Sequence, residues 1–259
     1  MDKVDIADSA LVLGSPRCVF DPTYYAELRS PEFQQLKVAS EQGNLEQVRN
    51  IFESNQLSKD TFIYSLARAQ QNSHISAVEK RQYDFLDLFL EHGYNINEPI
   101  NWTTPSVLIR SFDDERLCKW LLEHGADPNA QCLLDLTPLS VAVQLAPFTI
   151  IKLLFEHGGS IKHGQLLHYA VRRDRDDYLY VLAFLLDKGP RVNQVMYDNH
   201  PVSYEHQKPF GIGTPLHEAA AMGKMDVVDL LISRGADPSV RDARGRPLFT
   251  EQNGTVKQW

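Results

Sequence analysis

Cysteine is scarce in this chain: Cys18, Cys118 and Cys132 are the only three in 259 residues. The number is odd and no C-x-x-C spacing occurs, so neither a disulfide framework nor a cysteine-built zinc site fits, and a reducing compartment is expected. Long apolar runs are missing too. The densest, Val181 to Leu186, is far too short to span a bilayer, and the acidic start Met1-Asp2-Lys3-Val4-Asp5 lacks the apolar stretch of a secretory signal. These features predict a cytoplasmic or nuclear protein without membrane contact. Basic residues are in deficit, with 26 Lys and Arg against 34 Asp and Glu and a net charge of −8. Such a surface repels phosphate, and no basic stripe offsets it, so nucleic acid is not the expected partner. P-loop, G-x-S-x-G and kinase phrases are absent, and Gly211-Ile212-Gly213 is followed by Leu216 where a dinucleotide loop needs a third glycine. What remains is an ordinary soluble composition, 43% apolar and 23% charged, enough for one large domain or two small ones.

Against those absences stands a repeat. Thr104-Pro105, Thr137-Pro138 and Thr214-Pro215 each open a phrase, and a glycine follows 21 residues after each threonine, at Gly125, Gly158 and Gly235. The residues before each glycine carry apolar pairs at helical spacing: Leu121-Leu122, Leu153-Leu154 and Leu230-Leu231. Threonine caps a helix and proline at its first position loses no hydrogen bond, because that amide has no intrahelical partner anyway. Small residues such as Ala142, Ala170, Ala219 and Ala220 let neighbouring helices approach closely. The terminal glycine adopts the left-handed backbone that stops a helix. Each unit therefore reads as turn, short helix, longer helix and glycine stop, a pair that buries its apolar face only by stacking on neighbours.

These phrases resemble the ankyrin repeat, whose signature runs Thr-Pro-Leu-His-x-Ala-Ala, then Val-Val-x-Leu-Leu, then Gly-Ala-Asp. The stretch Thr214 to Pro238 matches almost throughout, with His217 and Gly223 in place. Weaker copies include Gln165 to Gly189, a unit ending at Leu86 to Asn97 with a first helix near Thr61 to Gln70, and an N-terminal cap from Leu36 to Phe52. The resemblance implies an all-α solenoid of about six helix pairs over residues 33–250, with an irregular extension at 1–32 and a tail at 251–259.

Departures from the pattern give the scaffold its individuality. Gln71 to Arg81 reads as a longer loop. Residues 193–213 insert a long loop before the best-formed repeat, with Tyr197, His200, Tyr204, His206 and Phe210 among prolines. Two readings fit it, a recognition loop or a tolerated structural cover.

In the resembled family, the hairpin tips and the outer ends of the first helices line a concave groove. Carried over, this designates Trp102, Arg110, Phe112, Leu133, Leu134, Leu136, Leu145, Arg172, Arg173 and Met222, joined by Tyr204, His206 and Phe210 of the insertion. Aromatic, apolar and arginine side chains are what binding surfaces use. The expected function is noncatalytic recognition of a protein or peptide. The alternative is an enzyme or small-molecule binder whose pocket is built in that groove and closed by the loop, with Tyr169, Arg172, Arg173, His200, Tyr204 and His206 as its polar groups. No cofactor and no metal are expected. His168 and His217 read as structural members of the repeat phrase, His92, His124 and His157 as helix-end residues, and His217-Glu218 lacks the second histidine of a zinc motif.

Overall fold

The computed structural model describes residues 103–248 throughout and the backbone of 249–252 and 255–258; before residue 103 it describes 31, 34–35, 38–39, 44–54, 87, 90–91, 93 and 95–100. The extension 1–30, the expected first helix Thr61 to Gln70, the loop Gln71 to Arg81, His92 and Trp102 lie outside the described residues. The chain forms two compact units, Met1–Cys132 and Leu133–Trp259. No described helix is long and apolar enough to cross a membrane.

In the first unit, α1 spans Leu45–Glu53 and is capped by Asn44, whose side chain accepts the Gln47 amide. The Thr104 phrase folds differently from its two relatives. Its first helix is a 3-10 turn, Val107–Ser111, and starts two residues beyond Pro105, whose carbonyl is bound instead by the Ile100 amide at 3.1 Å. The second helix is regular: α2, Glu115–Glu123, begins at Asp114, whose carboxylate accepts the amides of Arg116 and Leu117. Its buried face is Leu117, Cys118, Leu121 and Leu122, a helical stripe in which each large side chain contributes about 1.5–3 kcal/mol. Cys118 is a buried core residue, and burial pushes its thiol up to about 11.

The second unit holds three helix pairs. These are α3 (Pro138–Leu145) with α4 (Phe148–Glu156), α5 (Leu166–Arg172) with α6 (Tyr178–Leu186), and α8 (Pro215–Ala221) with α9 (Met225–Ser233). The first helices stack in a row, α5 packing on both α3 and α8, and the contact residues Ala142, Ala170, Ala219 and Ala220 are buried. Thr137 and Thr214 each form a reciprocal cap three residues on, with Ser140 and His217. Ser140 also donates to the Gly164 carbonyl at 2.6 Å, and His168 bonds the Gly213 carbonyl at 3.1 Å, so the same helical position ties each unit to the next turn. Any side chain at Gly164 would collide with that arrangement, since a Cβ there would lie 2.2 Å from Ser140 Oγ. Three of the glycines that end second helices, Gly125, Gly158 and Gly235, share one backbone with φ of 91°, 91° and 90°, while Gly189 after α6 has 71°.

Two details correct the sequence reading. In α4 the fully buried positions are Ile151 and Leu154, with Ile150 nearly so, while Leu153 is half-buried. The tail expected at 251–259 contributes to an antiparallel hairpin of β1 (Phe249–Gln252) and β2 (Thr255–Gln258), the strand pair of an otherwise helical set of described elements.

Candidate functional site

The insertion is not the open loop the sequence suggested. The Met196 amide donates to the Gly213 carbonyl at 2.9 Å and closes its neck. Inside the neck sits a helix, α7 (Pro201–Gln207), with proline in its first turn and His200 Nδ1 accepting the Ser203 amide, followed by a 3-10 turn Lys208–Phe210. The extra length is visible in a clamp. Asn97 binds Gly125 and Asp127, and Asn193 binds Gly235 and Asp237 in the same way, but the reach along the chain is 28 residues to Gly125 and 42 to Gly235.

The root of the insertion is a buried polar cluster. Asp135 is fully buried; its carboxylate accepts the Gly164 amide at 3.0 Å and the Gln165 amide group at 2.5 Å. Gln165 in turn donates to Asn199 at 2.9 Å and accepts the Tyr197 amide at 3.0 Å. Asp135, Gln165 and Tyr197 all have left-handed backbones, with φ of 46°, 54° and 63°. Such conformations cost about 1–3 kcal/mol each and persist where surrounding bonds impose them, and Gln165 is the residue that links all three here.

Beside the cluster lies the polar end of the first-helix row. Arg172 packs over the Tyr169 ring at 5.2 Å, donates to Met196 Sδ at 3.4 Å and pairs through Nε with the Glu218 carboxylate of the next first helix. Burial, the largest single influence, would lower the Arg172 value, but the charge and hydrogen bond of Glu218, together with Tyr169 and Tyr197, outweigh it, and the guanidinium is held above its ordinary range. For Glu218, burial raises the carboxyl and Arg172 opposes the rise. Burial also raises the Tyr197 hydroxyl, as does Tyr169, to which it is hydrogen bonded. Burial pushes His168 down to about 3, so it is a neutral structural imidazole.

The designated groove residues separate into three groups. Leu145, Phe210 and Met222 are exposed, at 60%, 74% and 47%. Arg110, Leu133 and His206 are exposed as well, and Leu134, Leu136, Arg172 and Tyr204 are half-buried. Phe112 and Arg173 are core residues. Phe112, the residue that ends the 3-10 turn Val107–Ser111, is 8% exposed. Arg173 has no exposure: its guanidinium donates to both carboxylate oxygens of Asp177 and to the carbonyls of Val143 and Ala146 at the end of α3. It is a strut between the helix pairs α3–α4 and α5–α6 of the second unit and offers nothing to a ligand.

The polar set named for a catalytic pocket does not converge. His200 is occupied as a cap, Arg173 as a strut and Tyr169 in the core, while His206 points out from α7. Among the described residues no three His, Cys, Asp or Glu side chains are placed to hold a metal ion. Met196 and Glu218 carry the geometry and are not among the residues the sequence designates, while Tyr197, named there only as one of the insertion's aromatics, is held at its root. Glu218 was findable, because it takes the place in its unit that Tyr169 holds in the one before.

Comparison with known proteins agrees with this architecture. Residues 106–196 match a family model of ankyrin repeats in three copies, and residues 213–243 match a single ankyrin repeat. An ankyrin repeat protein of fowlpox virus is 25% identical over 82% of this chain and 32% of its own length. A tRNA endonuclease of Homo sapiens is 54% identical over 44 residues, 16% of this chain and 6% of its own, and the palmitoyltransferase Hip14 of Drosophila melanogaster is 30% identical over 40% and 15%. The chain thus spans about a third or less of the length of these relatives. The crystal structure of the ankyrin repeat domain of Bcl-3 superposes with a TM-score of 0.52 at 24% identity, covering 82% of this chain and 91% of that one. The repeat phrases, the capped helix pairs and the family-model matches identify residues 106–196 and 213–243 as ankyrin repeats, and the solved domain shares their fold.

Proposed function

We propose that the chain is a noncatalytic protein- or peptide-binding module, which uses the outer ends of its first helices together with the inserted segment. The observation that carries this reading is a contrast along the row. The phrase residues Leu139, Ala142, Leu216 and Ala219 are buried, while Leu145 at the end of α3 and Met222 just past α8 present apolar side chains to water. Apolar groups kept exposed at equivalent positions of a stacked scaffold stabilise nothing inside it, and a partner that covers them recovers their transfer free energy. Between them, the Arg172 and Glu218 pair supplies both a donor and an acceptor. Proteins captured from a cell extract after cross-linking, quantified for the native chain and for Leu145→Glu with Met222→Glu, test the reading. A defined subset should be lost with the double variant. An identical set at equal abundance, from a variant that still unfolds cooperatively, overturns it.

A further inference from the structure

Among the described residues the most exposed large apolar side chain is Phe210, at 74%. It ends the 3-10 turn of the insertion, and it has basic company. Lys208 precedes it on the same turn and is exposed. The turn that follows α9 lies directly against this one: the Ala243 amide donates to the Ile212 carbonyl at 2.8 Å, and the Arg244 guanidinium donates to the Pro209 carbonyl. A Cβ built at Gly211 would lie 3.2 Å from Arg244 Cδ and 2.6 Å from an Arg246 nitrogen. The second turn is itself firm. Asp242, 8% exposed, accepts the amides of Arg244 and Arg246 and pairs with the Arg246 guanidinium at 2.7 Å, while Arg241 closes the far side through the Gly245 carbonyl at 2.7 Å. Arg246 is therefore engaged within the turn. Lys208 on the first turn and Arg241 and Arg244 on the second are exposed cations, and within 205–211 and 241–246 the exposed carboxylate is Glu205.

That local excess of positive charge belongs to a chain whose net charge is −8, so it is not the general character of the surface. We propose that this tip, Phe210 with Lys208, Arg241 and Arg244, is the docking point for an acidic peptide segment that carries an aromatic or aliphatic side chain. The apolar side chain packs on the Phe210 ring, and flanking carboxylates take the guanidinium and ammonium groups, which favour carboxylates in charge-assisted hydrogen bonds. Two turns tied by the Ala243–Ile212 backbone bond and by the Arg244 guanidinium on the Pro209 carbonyl present the anchor already ordered, which lowers the entropy lost on binding. A longer phosphodiester chain shares the negative charge but carries it beyond the tip, where the remaining surface of a chain with net charge −8 repels it more than it repels a short peptide with a few carboxylates. The proposal rests on the reading of the chain as a binding module and names the partner chemistry of its inserted segment.

The test selects a displayed library of random twelve-residue peptides against the full chain, then measures the enriched peptides by fluorescence anisotropy. The expected outcome is enrichment of sequences with acidic residues next to an aromatic or aliphatic one, with affinity falling at least tenfold for Phe210→Ala and for Lys208→Glu with Arg244→Glu. Because Arg244 braces Pro209, Lys208→Glu alone is the control variant, and it should lose affinity while melting like the native chain. Enriched peptides without acidic residues, unchanged affinity for all these variants, or no enrichment at all each overturn the proposal. So does equal binding of a random-sequence single-stranded DNA twenty-mer at the same tip. Peptides that ignore the tip variants but are lost with Leu145→Glu and Met222→Glu remove this proposal and leave the binding-module reading standing.

Discussion

Arg173 grips Asp177, four residues ahead across the turn between α5 and α6, with Nε and Nη2 at 2.7 and 2.8 Å, while Nη1 and Nη2 reach back to the carbonyls of Val143 and Ala146 at 2.9 Å. The carbonyls at the end of α3 carry the negative end of its dipole, so a fixed cation there stabilises the junction. Truncation to Arg173→Ala leaves two carbonyls without their donor and a carboxylate without its partner. The expected loss is about 2–4 kcal/mol, below the range for a wholly buried pair because Asp177 keeps a third of its side chain in water. Urea unfolding measures it, and a loss under about 1 kcal/mol would mean that the fork carries little of the junction.

The register of α4 sets a second expectation. Leu154 is fully buried and Leu153 only half-buried. Removing Leu154 empties core volume, and Leu154→Ala should cost about 2–5 kcal/mol. Leu153→Ala should cost less, about 1–2 kcal/mol, because part of what it deletes is already in contact with water. Equal losses in denaturant titration would show that the helix is rotated from the position described.

How much of this was legible depends on how local each signal is. The caps at Thr137 and Thr214 and the stops at Gly158 and Gly235 are fixed within one turn of chain, so their sequence phrases translate directly into structure. Arg173 was misread because its place in the repeat is a groove position. The signal that corrects it is the Arg–Asp pair four residues apart, which the turn at 174–177 folds back under α3. His200-Pro201 is a cap followed by a first-turn proline, readable as a helix start inside the insertion. The left-handed backbones of Asp135, Gln165 and Tyr197 were not readable, since they follow from bonds between residues about thirty positions apart.

The neck at Met196 and Gly213 makes the insertion a separable excursion. Replacing Asp198 to Gly211 with a short Gly-Ser turn keeps the neck bond and the α8 cap, and removes the Gln165 to Asn199 bond. A single cooperative transition should survive with about 1–2 kcal/mol lost, the scale of one or two hydrogen bonds. A broad or early transition in urea would identify α7 as an essential cover of the α5–α8 junction.

The buried imidazole of His168 predicts a pH dependence with a definite sign. Burial lowers it from the ordinary 6.5 to about 3. Between these values the unfolded chain binds a proton at this site and the folded chain does not, so stability from His168 is fully present above pH 6.5 and declines as the pH falls toward 3. The slope approaches about 1.4 kcal/mol per pH unit, which makes the loss between pH 7.5 and 5.0 about 2 kcal/mol for this one group. His217, also lowered by burial, acts in the same direction and is common to both proteins in the comparison. His168→Gln keeps a donor for the Gly213 carbonyl but does not titrate. Its unfolding free energy should therefore fall by about 2 kcal/mol less than that of the native chain over the same interval, measured by urea titration at the two pH values. Parallel pH profiles for the two proteins would show that His168 is protonated in the fold and that the Gly213 contact is made by a cation.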